Sequence, residues 1–293
     1  MATVAQSAPA PLPAGVSLWR WGLRRLLRRP LMVVCVAILA VVVAASIAAP
    51  WIAPYSYETI DLALGPSPPS AEHWFGTDTL GRDLFSRCLY GGRISLAVGI
   101  VGTLVSLIVG VLYGTVAGYF GGRTDELMMR FVDLMYSLPY LFLVIILLVF
   151  FSSSIVMLFV ALGLVQWLTM SRIVRGQVLS LKNAEFVQAA RLAGSRPARI
   201  MLRHLLPNMI GPIVAYATLT VPTVILQEAF LSFLGLGVQP PQSSWGTLIN
   251  DGAGVMGLFP WMLFFPAVIL AGVLFSLNTL GDGLRDALDP RLR

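Results

Sequence analysis

Residues 134–171 read LMYSLPYLFLVIILLVFFSSSIVMLFVALGLVQWLTMS, a run without Asp, Glu, Lys or Arg. A helix crosses the hydrocarbon core of a bilayer in about 20 residues. The run is therefore too long for one untilted helix and short for two. Ser152, Ser153 and Ser154 near its middle favour a tight hairpin of two spans, the first starting near Met128 so that Arg130 and Asp133 lie at its inner end. Residues 30–57, 94–122, 204–227, 229–250 and 252–281 are likewise free of these charges. The stretch 229–250 holds Gly235, Gly237, Pro240, Pro241 and Gly246. Backbone so broken does not face lipid, so it is expected as a non-spanning segment between two spans. Six spans result, near residues 31–50, 94–119, 128–151, 155–173, 209–230 and 258–279.

Composition agrees with lipid as the main solvent. Of 293 residues 57% are hydrophobic and 12% charged, with a mean hydropathy of +0.81, where a globular domain is about one quarter charged. With the N-terminus inside, 17 of the 20 basic residues fall on the inner side, leaving Arg82, Arg87 and Arg93 outside. Reading 134–171 as one helix puts the charged loop 174–208 outside and spoils this bias. The positive-inside rule thus favours the hairpin, an N-in, C-in topology, and an orientation signal rather than nucleic-acid binding as the source of the +6 net charge.

The chain divides into a cytoplasmic segment 1–30, a first span 31–50, an external segment 51–93, a core 94–280 and a cytoplasmic tail 281–293. Arg20, Arg24 and Arg28 recur every four residues opposite Trp19, Leu23, Leu26 and Leu27. That pattern fits an amphipathic helix on anionic membrane lipid, or basic residues that simply flank a span.

Several chemistries are missing. Lys182, the one lysine, follows Leu181, so the chain has no Gly-Lys pair for a phosphate-binding P-loop. Cys35 and Cys88 make neither a disulfide framework nor a metal site and are expected as packing residues. No metal ligation, catalytic residue or bound cofactor is expected. Ionisable residues are nearly absent from the spans; Glu228, near the outer end of the fifth, either lines a substrate path or serves the broken backbone after it. In the outer segment, Gly76 and Gly81 permit turns around Asp78, Arg82 and Asp83, expected as a local ion-pair knot.

Loop 174–208 reads as two short helices. The first covers about residues 181–193, with Gly194 as a left-handed cap; Ser195 then caps a second that has Pro197 in its first turn. On a wheel Phe186, Ala189, Ala190 and Ala193 share a face, while Glu185, Gln188 and Arg191 lie away from it. Such a face suits a partner's groove or the chain's own helix ends.

Residues 185–194, EFVQAARLAG, with 203–208, RHLLPN, resemble the EAA loop of ATP-binding-cassette importer permeases, with Gln188 where that loop usually has Glu. HWFGTDTLGRD at 73–83, GRISL at 92–96, GYFGG at 118–122, LSFLGLGVQPP at 231–241 with Ser244-Trp-Gly246, and GDGLRDALDP at 281–290 resemble the C-type permease of oligopeptide and dipeptide importers. Arg172-Ile-Val-Arg-Gly-Gln and Leu179-Ser-Leu-Lys182 look more like the oligopeptide branch. The resemblance covers the chain from about residue 20 onward. It implies an all-α type I importer permease fold with a cytoplasmic coupling helix, in the bacterial inner membrane. It also implies a homologous B-type permease as partner, two cytoplasmic ATPase subunits carrying ATP and Mg, an external peptide-binding protein, and a peptide substrate. Glu185, Phe186, Gln188, Ala189, Ala190 and Gly194 are then the residues that couple to the ATPases. The competing readings are a carrier or channel driven by an ion gradient, dependent on Glu228, and a non-transporting scaffold.

Overall fold

The computed structural model describes residues 29–151 and 155–288. The basic stretch at residues 20–28, the serines of the hairpin turn and the last five residues lie outside the described residues.

Among the described residues the chain is helical, with one isolated bridge between Thr77 and Asp83. The helices are α1 (Pro30–Ile47), α2 (Ala49–Ile52), α3 (Leu84–Phe120), α4 (Gly122–Ser137), α5 (Tyr140–Phe151), α6 (Ile155–Leu181), α7 (Glu185–Leu192), α8 (Pro197–Ile200), α9 (Leu206–Phe233), α10 (Trp245–Ala253) and α11 (Trp261–Leu288). Among the described residues five helical segments are long and apolar enough to cross a membrane, and six if the bent pair α4 and α5 forms one span.

That bent pair departs from the expected straight span 128–151. The axis turns by 92° between α4 and α5. Pro139 is the cause: the residue before a proline is driven out of the helical region, and Leu138 is extended at φ −87°, ψ 133°. α3 also begins ten residues before the expected 94. Asp83 caps it, its carboxylate accepting from the Ser86 N–H at 2.7 Å. Residues 234–244 are irregular and α10 is a single short helix, so 229–250 contains no span.

α3 and α6 form the spine. Membrane helices gain little from hydrophobic exclusion and associate where small residues let backbones meet. Gly110, Gly114 and Gly118 recur every four residues on α3. A Cβ on Gly110 would stand 2.6 Å from the Met170 Cβ, and one on Gly114 2.3 Å from the Ser171 carbonyl oxygen. On Gly118 it would lie 2.8 Å from the Val178 Cβ. The stripe is therefore a slot shaped by α6. Val111, Met170, Val174 and Val178 continue this contact into a core shared with Val187, Ala190, Ile200 and Leu205 from the following loop. α9 and α11 pack together on the other side, around Ile225, Ala229, Leu270 and Val273. Cys35 and Cys88 are free and buried, as packing residues should be.

Candidate functional site

The loop after α6 folds as a bracket packed on the end of the α3–α6 spine. α6 runs to Leu181, so the first loop helix is shorter than expected and begins at Glu185. Gly194 stands at φ +76°, a conformation that favours glycine. The Gly194 N–H donates to the Arg191 carbonyl and the Ser195 N–H to the Ala190 carbonyl, closing the helix end. Ser195 does not cap the second helix as expected: Arg196, without a side-chain cap, precedes α8, and Pro197 is its first residue. α8 is not a separate helix but the entry to α9, joined to it by a π-helical turn at Met201–Leu205. Pro207 has no N–H to offer the Arg203 carbonyl and its ring crowds that group, which a wider turn relieves.

α7 has two faces, and they differ from the expected ones. Val187 and Ala190 are buried against Val174, Val178 and Ile200, so the chain's own helices take one side. Phe186 and Ala189 are exposed, with Leu192 and Ala193 beside them; Leu192 is 90% exposed. Ala190 thus belongs to the inner face and Leu192 to the outer. The wheel grouped Ala190 with Phe186 and Ala189 and left out Val187, whereas Val187 and Ala190 together form the side packed on α6. Glu185 is exposed in the first turn, where its charge favours the helix N-terminus. The Gln188 amide turns back to the Asn183 carbonyl at 2.9 Å.

The bracket is fastened to the α3–α4 corner. Arg175 on α6 grips Asp125 through two bonds, Nε to Oδ1 at 2.5 Å and Nη2 to Oδ2 at 2.7 Å. Lys182 donates to the Gly118 carbonyl at 3.1 Å, and the Arg191 guanidinium lies 5.3 Å from the Tyr119 ring centre. Gly121 and Gly122 turn the chain sharply between α3 and α4 at φ +66° and +53°. The corner and the bracket are therefore tied together by side-chain contacts from three positions.

At the opposite end, Glu228 is fully buried in the interior of the bundle. Its Oε1 accepts from the Ser232 hydroxyl at 2.6 Å, and the hydroxyls of Ser244 and Ser95 lie beside the carboxyl. Ser244 opens α10 in a capping box with Thr247, and Ser95 accepts from the Trp245 N–H at 3.1 Å. Glu228 accordingly sits beside Ser244, the residue that opens α10. Gly237 and Gly246 lie close against the last turn of α9: a Cβ on Gly237 would fall 1.8 Å from the Ser232 Oγ, and one on Gly246 2.5 Å from the Ala229 Cα.

The outer knot is built more fully than the motif suggested. Asp78 Oδ1 accepts from the Leu80 and Arg82 N–H groups, and Oδ2 accepts from Arg82 Nε at 2.7 Å and Arg87 Nη1 at 2.5 Å. Asp83 pairs with His73 at 2.9 Å as well as capping α3. Arg87, which the motif reading left out, also approaches Asp251 at 3.5 Å. Burial pushes the Asp251 carboxyl above its ordinary range, against the opposing pull of Arg87 and Arg82. The Thr77 carbonyl, accepting from the Trp261 indole at 3.1 Å, ties the knot to α11.

Long apolar helices around a glycine-slotted spine, with a short two-faced helix bracketed to one end, define a multi-pass helical membrane protein that offers a docking element beyond its spans. Residues 110–293 match the family of binding-protein-dependent transport system inner membrane components, and residues 17–69 match the N-terminal transmembrane domain of oligopeptide transport permease C. The chain belongs to this family of bacterial inner-membrane permeases. It is 50% identical over 281 residues to the oligopeptide transport system permease protein OppC of Haemophilus influenzae, covering 95% of this chain and 90% of the relative. Identity to the dipeptide transport system permease protein DppC of Bacillus subtilis is 47% over 271 residues, 92% of this chain and 85% of that one. An inward-facing structure of the MetNI methionine ABC transporter superposes with a TM-score of 0.57 at 18% identity, over 70% of this chain and 96% of that one. The fold is therefore that of an ABC importer permease.

Proposed function

We propose that this chain is one of two permease subunits of an ATP-driven peptide importer, with its N- and C-termini inside. The relatives that match nearly its whole length are oligopeptide and dipeptide permeases. The observation that carries the coupling role is the exposed apolar face of α7, Phe186, Ala189 and Leu192, on a helix whose other face is locked to the chain's own core.

The mechanism follows from these contacts. One of two cytoplasmic ATPases, which hold ATP and Mg, seats on that face; a homologous permease completes the path and meets the other; an external binding protein delivers peptide. ATP-driven closure of the ATPases displaces α7. Arg175–Asp125 and Lys182 pass the displacement to the α3–α4 corner, while the π turn at Met201–Leu205 and the break at Pro139 absorb the difference. Coupling of this kind requires that the ATPase on α7 binds it differently in the two states. Glu228 anchors α10 to α9 at the outer end.

Purifying the tagged chain from its native membrane tests the assembly. Recovery of a second permease and two ATP-binding subunits is the expected result. Recovery of a homo-oligomer alone would return the account to a carrier or a scaffold.

A further inference from the structure

A polar side chain in the middle of an apolar span is costly toward lipid and marks either a packed contact or a water-filled path. Gln166 on α6 and Gln227 on α9 both sit inside candidate spans, and their amides meet at 3.0 Å. One turn along α6, the Thr169 hydroxyl bonds to the hydroxyl of Tyr136 on α4. A turn further, the Arg172 guanidinium lies 4.0 Å from the Tyr136 ring centre and pairs with Asp133 at 2.6 Å. Three helices thus contribute to one continuous polar seam, roughly 9 Å long between Gln166 and Arg172 at 1.5 Å of rise per residue.

The seam is open. Gln166 and Gln227 are half-buried, Tyr136 is 42% exposed, and the side chains of Arg172 and Asp133 are 45% and 64% exposed. Gly176, the next position on the same face of α6, has nothing within 4 Å of where a Cβ would stand. By contrast, α5 exposes Phe142, Val149 and Phe150, the surface expected toward lipid.

We propose that this seam contacts the main chain of the peptide as it crosses; the inference rests on the peptide-importer reading. The bond between the two glutamines consumes one donor and one acceptor. Each of the two amides retains at least one further donor N–H and acceptor lone pair, the complement of a peptide bond. At the inner end Arg172 and Asp133 offer opposite charges to a peptide's own termini. None of these groups reads a side chain, and the middle of the seam is uncharged, so it passes peptides of either charge.

The test uses the assembled transporter in proteoliposomes, with a neutral tripeptide as the probe. Gln166→Leu and Gln227→Leu keep the volume and remove the amides. Uptake is expected to fall roughly tenfold or more, with assembly and basal ATP hydrolysis within about twofold of wild type. In parallel, Gln227→Cys is treated with a charged, membrane-impermeant thiol reagent, against which the buried Cys35 and Cys88 are silent. Modification that excess tripeptide slows supports the seam. Absence of modification, modification indifferent to peptide, or uptake unchanged in both leucine variants overturns it. If wild type itself shows no ATP-driven uptake, the importer reading falls; if wild type transports and the variants match it, only the seam falls.

Discussion

Leu192→Ala is the sharpest probe of the outer face of α7. Leu192 is 90% exposed in the isolated chain and touches little of it, so the substitution should shift the permease's own stability by no more than about 0.5 kcal/mol. If the ATPase buries that side chain, truncation removes most of the roughly 1.5–3 kcal/mol that burying a leucine contributes. A loss of about 2 kcal/mol weakens binding about 30-fold. Ala190→Trp is the contrasting variant. Ala190 is buried among Val174, Val178 and Val187, so a large ring overpacks that core and costs about 1–3 kcal/mol of fold stability without touching the outer face. The assay pairs ATPase binding to nanodisc-embedded permease with thermal unfolding of the same sample. Leu192→Ala should lose affinity at constant Tm, and Ala190→Trp should lose Tm. Unchanged affinity in Leu192→Ala, or a fall in Tm as large as that of Ala190→Trp, would refute the two-faced reading.

Three further substitutions probe the scaffold. Gly114→Ala places a Cβ against the Ser171 carbonyl oxygen, backbone that cannot rotate away, and should lower stability by about 1–3 kcal/mol, read as a drop in Tm. Asp78→Ala leaves buried Arg87 without its closest partner; a loss of about 3–5 kcal/mol is expected, seen as poor recovery of folded protein, while Glu58→Ala on the exposed surface should be silent. Asp125→Asn weakens the fastening between α6 and the α3–α4 corner. It should leave ATP hydrolysis running but lower the peptide imported per ATP several-fold, whereas hydrolysis and import falling in equal proportion would deny Asp125 a part in transmission.

Much of this architecture was legible from local pattern. The hairpin at 134–171 followed from charge placement, since the loop 174–208 carries too many arginines to lie outside. The outer knot was visible because G-T-D-x-x-G-R-D combines two turn glycines with opposite charges. The break at Pro139 was masked by its setting in a charge-free run, although a proline is the usual local signal for one. The buried face of α7 depended on tertiary packing: the alanines at 189 and 190 look alike in the sequence, and only the seating of the loop on α6 sets Ala190 with Val187 against Val174 and Val178. Gly110, Gly114 and Gly118 carry the small-residue spacing of a close helix crossing, yet spacing alone does not name α6 as the partner. Gln166 meeting Gln227 is beyond any local pattern, because 61 positions separate them and only the packing of α9 on α6 brings them together.

The central claim is that ATP hydrolysis on partner subunits, passed through α7, moves peptide through this chain. Its most direct measurement is uptake of labelled peptide into proteoliposomes containing both permeases and both ATPases, with binding protein supplied on the outward-facing side. The account predicts uptake that requires ATP on the opposite side, stops when α7 carries Leu192→Asp, and continues when an ionophore collapses every ion gradient. Uptake that persists without ATP and ends with the ionophore would contradict it.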